Sequence, residues 1–161
     1  MKQQCHVSTV YLSWIVYGGG LIAAAWLGAW AFAAAWLIAG PVFQWLYIRN
    51  FPKFSAAMGY GRIEDEPAGS EHAAPAQIIL YTALGCPFCP VMDQRLEDLR
   101  ARLGFSLTKV DVTLRPDLLA SKNIRSVPAV EIGDRIFTGL VTSKQLAEAL
   151  VGRAVSPAQR P

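Results

Sequence analysis

From Val7 to Ile48 the chain carries no Asp, Glu, Lys or Arg. A helix crosses the hydrocarbon core of a bilayer with about 20 apolar residues, and this run is about twice that length. The apolar part of a secretory signal spans only about 7–15 residues, so the run is too long for one. A buried core helix of this length without a charge is a poor alternative. The sequence therefore predicts a transmembrane helical region over residues 1–50. Two foldings fit the punctuation. Gly18-Gly19-Gly20 and Gly40-Pro41 bracket Leu21–Ala39 as one span, and Pro41 can open a second, interfacial helix. Alternatively, two spans of about Val10–Leu27 and Trp30–Ile48 form a hairpin turning near Gly28. The hairpin is favoured, because Tyr11-Leu12-Ser13-Trp14-Ile15-Val16-Tyr17 is too apolar to leave in water.

Lys2 is the only Lys or Arg before the run, whereas Arg49, Lys53 and Arg62 follow it. Cationic residues stay on the cytoplasmic side, which places the C-terminal part there, at the cell (inner) membrane. Trp45 and Tyr47 just before Arg49 fit an interfacial aromatic anchor. Small residues recur at helical spacing in Gly20, Ala24 and Gly28, and in Ala25, Ala29 and Ala33. Such faces let helices approach closely in lipid. They fit a homo-oligomer or a larger membrane complex, and equally the packing of two hairpin arms on each other.

Residues 51–77 read as an amphipathic stretch and a linker. Phe51, Phe54, Met58 and Tyr60 alternate with Lys53 and Arg62, as on a membrane surface. Arg62 to Gln77 is polar, holds Pro and Gly, and lacks periodicity, which is the pattern of a tether. His72 within it reads as solvated. Charged residues are 17% of the chain against about 25% in soluble domains. The deficit lies in the N-terminal third. With a net charge of +3 and no basic run, nucleic-acid binding has no support.

Residues 78–153 read as a small α/β domain, followed by a tail at 154–161. Ile78-Ile79-Leu80-Tyr81-Thr82 is a short β-favouring run. Met92, Leu96, Leu99 and Leu103 then recur on one helical face, with charges at the other positions and Gly104 as the stop. Leu107–Val112 alternates as a strand, and a short helix starts at Pro116. Ala129–Ile132 and Arg135–Thr138 are strands joined at Gly133-Asp134. Ser143–Leu150 is a last helix with Ser143 as its N-cap. The order β-α-β-α-β-β-α predicts a four-stranded mixed sheet with three helices on its faces.

The first helix of that domain opens on Cys86-Pro87-Phe88-Cys89. A cysteine at a helix N-cap meets unsatisfied N–H groups and the positive end of the helix dipole. Its pKa is expected to fall from about 8.5 toward or below neutrality. The thiolate attacks a disulfide and forms a mixed disulfide. Cys89, nearly one turn on, can attack Cys86 and release the reduced product. Pro87 at the first helical position loses no hydrogen bond. Pro90 withholds the N–H that would bond the Cys86 carbonyl and disfavours helical geometry at Cys89, so a delayed first turn is expected.

Tyr81-Thr82-x-x-x-Cys86-Pro87-Phe88-Cys89, with Val127-Pro128 about forty residues on, resembles the glutaredoxin/thioredoxin superfamily. The Cys-Pro-aromatic-Cys form resembles glutaredoxins in particular. The resemblance implies a thioredoxin-like fold and thiol–disulfide oxidoreductase activity, and a domain in the reducing cytoplasm is expected to run it as disulfide reduction. It makes Cys86 the nucleophile and Cys89 the resolving thiol, with Pro87, Phe88, Val127 and Pro128 lining the substrate site. It implies a cis bond at Pro128 and a Val127 backbone that pairs with the substrate, a disulfide-containing protein or a small thiol. No bound cofactor is implied. Glutathione is the reductant of many glutaredoxins, but the basic residue they carry before the CxxC is replaced here by Ala83-Leu84-Gly85. Only Gly139 remains of their glycine pair before the last helix. Both departures favour another electron donor, a reductase or a membrane partner. A second cysteine in the motif argues against the iron–sulfur branch.

Two other functions fit the same residues: an accessory subunit of a membrane complex with an incidental CxxC, or a carrier of a soft ion such as copper(I). A structural zinc site takes four ligands, and Cys5, His6 and His72 lie across or beside the apolar run from the CxxC. No metal is therefore expected. Cys5, the third of the three cysteines, reads as an inert free thiol.

Overall fold

The computed structural model describes residues 3–58, 63–68 and 77–155, with the side chains of 151–155 excepted. A two-residue strand β1 (Cys5–His6) leads into α1 (Val7–Trp26), and α2 (Trp30–Phe54) runs back antiparallel to it. The reversal is a left-handed C-terminal cap. Gly28 sits at φ +69°, where its N–H bonds the Ala25 carbonyl at 3.1 Å and that of Ala29 bonds Ala24 at 3.0 Å. Glycine takes this conformation without steric cost. α2 continues through Pro41 to Phe54, so no separate interfacial helix begins there.

The two arms pack through aromatic rings against small residues. Trp36 Nε1 donates to the Tyr17 carbonyl at 3.3 Å, and the Tyr17 hydroxyl donates to Leu37 at 3.2 Å. The Tyr17 and Trp36 rings stack at 6.3 Å, with Gly20 against Trp36. Both helices are long and apolar enough to cross a membrane. Their outer faces are bare: Trp26 is 91% and Leu27 83% exposed.

The C-terminal part runs β2 (Gln77–Thr82), α3 (Cys89–Leu103), β3 (Ser106–Asp111), α4 (Pro116–Ser121), β4 (Ser126–Val127), β5 (Ala129–Ile132), β6 (Arg135–Thr138) and α5 (Ser143–Val155). The main sheet has the order β3-β2-β5-β6, parallel between β2 and β3 and antiparallel elsewhere. This mixed four-stranded sheet is the thioredoxin-like arrangement expected from the sequence. Alternation along β2 splits its side chains between two faces. Ile78 and Leu80 join Met92, Leu96 and Leu99 of α3 and Leu146 and Leu150 of α5 in one core. Tyr81 faces a second core with Val112, Leu119 and Ile124. Val7 and Val10 from α1 and Phe51 from α2 complete that second core. The base of the apolar hairpin thus covers a face of the sheet that the short α4 leaves open.

Three local features depart from the sequence reading. Residues 63–68, inside the stretch read as a tether, are held down: the Asp65 carboxylate accepts from the Ser143 backbone N–H at 2.7 Å and its hydroxyl at 2.5 Å. Glu66 pairs with Lys144 at 2.8 Å. The remainder of that stretch, with His72, lies outside the described residues. Arg95, placed by periodicity among the exposed charges, is buried and donates to the carbonyls of Val141 at 3.0 Å and Glu64 at 2.7 Å. The cap of α5 is Thr142 and not Ser143. Thr142 Oγ1 accepts from the Gln145 N–H, and Gln145 Oε1 accepts from the Thr142 N–H, both at 3.3 Å, which is a capping box.

Candidate active site

β2 delivers the chain to a tight loop, Ala83 to Phe88, that ends on α3. The Cys86 N–H bonds the Ala83 carbonyl at 3.1 Å, and the Leu84 N–H bonds Thr113 Oγ1 at 2.7 Å. The first i→i+4 bond of α3 runs from the Met92 N–H to the Phe88 carbonyl at 3.1 Å. The helix therefore begins at Cys89 with Phe88 as N-cap. Pro90 cannot bond the Cys86 carbonyl, which removes the first turn that would otherwise start at Pro87. Cys86 is thus outside the helix, and the N-cap position expected for it belongs to Phe88.

Cys86, Pro87, Phe88 and Cys89 are all buried. The Phe88 ring meets Phe51 edge-on at 4.9 Å, and both are fully buried. Trp14 Nε1 donates to the Leu84 carbonyl at 3.3 Å. Both arms of the hairpin therefore contact the cysteine loop. Opposite the loop, the Val127–Pro128 peptide is cis, the isomer implied by the resemblance. Val127 is fully buried and shares a core with Cys86 and Cys89.

The free edge at Val127 is taken by the chain's own N-terminal segment. β1 pairs antiparallel with β4, Cys5 opposite Val127 and His6 opposite Ser126. The Val7 N–H reaches the Arg125 carbonyl at 3.3 Å, and the Leu140 N–H bonds the Gln3 carbonyl at 2.8 Å. Gly139 lets this strap pass: a Cβ there would lie 3.1 Å from the Gln3 oxygen. The strap lays Cys5 on the CxxC, where its thiol hydrogen-bonds Cys86. All three cysteines are free thiols.

This closed arrangement overturns the expected acidity of Cys86. The hydrogen bond from Cys5 favours the thiolate, but contact with the Cys89 thiol and burial favour the neutral form and win. Cys86 is held well above the usual cysteine range. Cys5 is pushed up further, first by its hydrogen bond to Cys86 and then by burial. At 2% exposure, burial outweighs the Phe88 backbone N–H at the helix start, which favours the thiolate. Cys5 is a free thiol, as read from the sequence, but its position beside the CxxC was not foreseen. Its only signal was its type, since nothing local marks a residue that pairs with one more than a hundred positions away.

Comparison with known proteins agrees with the fold. Residues 77–151, just under half of the chain, match the family model of the glutaredoxin-like domain. These residues are similar to that domain, and their mixed four-stranded sheet has a thioredoxin-like order. No protein in a search of curated sequences matches the chain. Among solved structures, the NTD_N/C domain of alkylhydroperoxide reductase AhpF from Enterococcus faecalis is similar, at 24% identity and TM-score 0.47 over 62% of this chain and 51% of that one. The chain thus spans about half the length of that relative. Thioredoxin-2, a component of malaria parasite protein secretion machinery, is similar at 17% identity and TM-score 0.41, over 56% of this chain and 96% of that one. Desulfothioredoxin from Desulfovibrio vulgaris Hildenborough is similar at 20% identity and TM-score 0.41, over 55% of this chain and 96% of that one.

Proposed function

We propose that the chain is a membrane-anchored thiol–disulfide oxidoreductase that reduces disulfides through Cys86 and Cys89. The observation that carries this reading is the CxxC packed in one core with Val127, whose peptide bond to Pro128 is cis, at a strand edge able to accept an extended chain. A substrate strand enters at Val127 and Pro128 once the strap lifts, beside Pro87 and Phe88. The Cys86 thiolate then attacks the substrate disulfide, one half leaves as a thiol, and Cys89 displaces the other half from Cys86. A second thiol system returns the Cys86–Cys89 disulfide to the dithiol. The substrate is a disulfide-bearing protein or a small disulfide. A reductase or a membrane partner is the class of donor, since Ala83-Leu84-Gly85 replaces the basic residue of glutathione-using relatives.

The apolar hairpin anchors this domain. Its outer faces expose Trp26, Leu27, Trp30 and Phe43, and Arg49, which lies over the Trp45 ring at 5.0 Å, marks the end nearest the redox domain. α1 starts and α2 ends beside that domain, and Arg49 and Lys53 lie at the same end of the hairpin, which supports a redox domain on the cytoplasmic side. The turn at Gly28 splits Ala25, Ala29 and Ala33 between the end of α1 and the start of α2, so they do not form the single small-residue helix face expected from their spacing.

The test uses the full chain in detergent micelles with a small aromatic disulfide and a dithiol reductant. Turnover is expected to vanish in Cys86→Ser and to stall in Cys89→Ser with Cys86 locked in a disulfide. Turnover retained in Cys86→Ser would refute the reading.

A further inference from the structure

The strap places a third thiol where a substrate's sulfur would have to sit. Gln3 to Val7 is held along Val127 by strand pairing and by bonds to Arg125 and Leu140, as an incoming extended chain would be. Ser126 Oγ also bonds Gln4 Oε1 at 3.2 Å. Cys5 is the strap residue opposite Val127, partly buried, and it packs on the core that holds both thiols of the CxxC. No residue of the strap other than Cys5 carries a sulfur. We propose that Cys5 is a third redox-active thiol, and that the strap is a built-in substrate whose Cys5 exchanges with Cys86 to form a Cys5–Cys86 disulfide that closes the site.

The inference rests on Cys86 acting as the nucleophile of the proposed oxidoreductase. Two exchanges lead to the bridge, and neither needs a further oxidant. In the first, an external disulfide has already oxidised the pair. Cys5 sulfur attacks Cys86, the Cys5–Cys86 bond forms, the Cys86–Cys89 bond breaks, and Cys89 takes the proton that Cys5 gives up. In the second, Cys86 holds half of the external disulfide. Cys5 attacks Cys86 and the external half leaves as a thiol carrying that proton. Either way the bridge fixes the strap over the dithiol, and a reductant that breaks it frees both the strap and Cys86. The geometry gives the strap two roles: it covers the site in the reduced state and locks it in the oxidised one. Because α1 begins at Val7, directly after the strap, the bridge also ties the redox state of the site to the start of a membrane-directed helix.

The experiment treats the full chain in detergent with cystamine, alkylates remaining thiols, and maps disulfides by mass spectrometry without reduction. In Cys89→Ser, the expected product is a Cys5–Cys86 bridge with both halves of cystamine released. In the double variant Cys89→Ser with Cys5→Ser, Cys86 is expected to keep a stable cysteamine adduct. A lasting adduct on Cys86 in the single variant, with Cys5 alkylated, would overturn the proposal. The wild-type chain gives a second readout that does not depend on how the variants fold. At substoichiometric cystamine it is expected to yield both the Cys86–Cys89 and the Cys5–Cys86 bridges. A Cys86–Cys89 bridge alone, with Cys5 fully alkylated, refutes the strap while leaving the oxidoreductase intact. If cystamine oxidises none of the three thiols, the oxidoreductase reading falls and takes this one with it.

Discussion

Arg95 shows how a single buried cation can tie separate pieces of the chain together. Its guanidinium spans α3, the loop before α5 and the segment at Glu64, and lies 3.6 Å from Asp65. Burial lowers its pKa and Asp65 partly offsets the shift, yet an arginine remains charged throughout the accessible range. Hydrogen bonds to charged groups contribute about 1.5–3 kcal/mol each, so Arg95→Met is expected to lower unfolding free energy by about 2–4 kcal/mol in urea titration. An unchanged midpoint would mean that water replaces the guanidinium at both carbonyls. Tyr81 gives a pH test. Burial and its 2.5 Å hydrogen bond to Glu131 raise the phenol to about 12. A folded pKa above the unfolded value of about 10 means that stability is fully present below pH ~10 and is lost as pH rises toward 12. Tyr81→Phe is expected to flatten that part of the stability–pH curve relative to wild type. Equal slopes in the two proteins would contradict the assignment. Tyr81 was visible in the sequence as part of a strand, but neither its bond to Glu131 nor the burial of Arg95 was. Arg95 sits beside Leu96 and Leu99 on α3, and only the carbonyls of Val141 and Glu64, distant in the chain, make burial of a charge tolerable there.

At the scale of elements, the cysteine loop and the strap behave differently from the regular structure around them. β2, α3, β5 and β6 carry strong local signals: alternation, a leucine face with an αL glycine at its end, and a Gly-Asp turn. The turn at Gly28 has a local signature too, a glycine midway along an apolar run. The start of α3 was legible in part, because Pro90 marks a missing hydrogen bond. The resulting shift of the N-cap from Cys86 to Phe88 follows from that one proline. Pro90→Ala restores an N–H toward the Cys86 carbonyl and is expected to lengthen α3 toward Cys86, lowering the thiol's pKa. The check is the rate of alkylation against pH in a Cys5→Ser background, where the profile moves to lower pH. An unmoved profile would show that burial alone sets the acidity. The strap had no such signature. A two-residue strand is too short for periodicity, and its pairing with β4 is decided by tertiary fit at Gly139, Val7 and Val10.

Across the whole molecule, the apolar hairpin and the C-terminal domain share a core through Val7, Val10 and Phe51, so the domain is seated on the base of the hairpin. Alkaline carbonate is expected to leave the chain in the membrane pellet. Protease added to spheroplasts is expected to spare the redox domain, and its digestion would place the domain on the outer side. The central claim is that Cys86 and Cys89 form a reversible redox couple, and thiol–disulfide equilibration of the full chain tests it most directly. The chain is incubated across a series of reduced-to-oxidised dithiothreitol ratios and quenched by alkylation. In a Cys5→Ser background, peptide mapping is expected to show Cys86 and Cys89 leaving the alkylated pool together and returning together on reduction, and Cys89 staying alkylated at every ratio once Cys86→Ser is added. Two thiols that remain open to alkylation at the most oxidising ratio would contradict it.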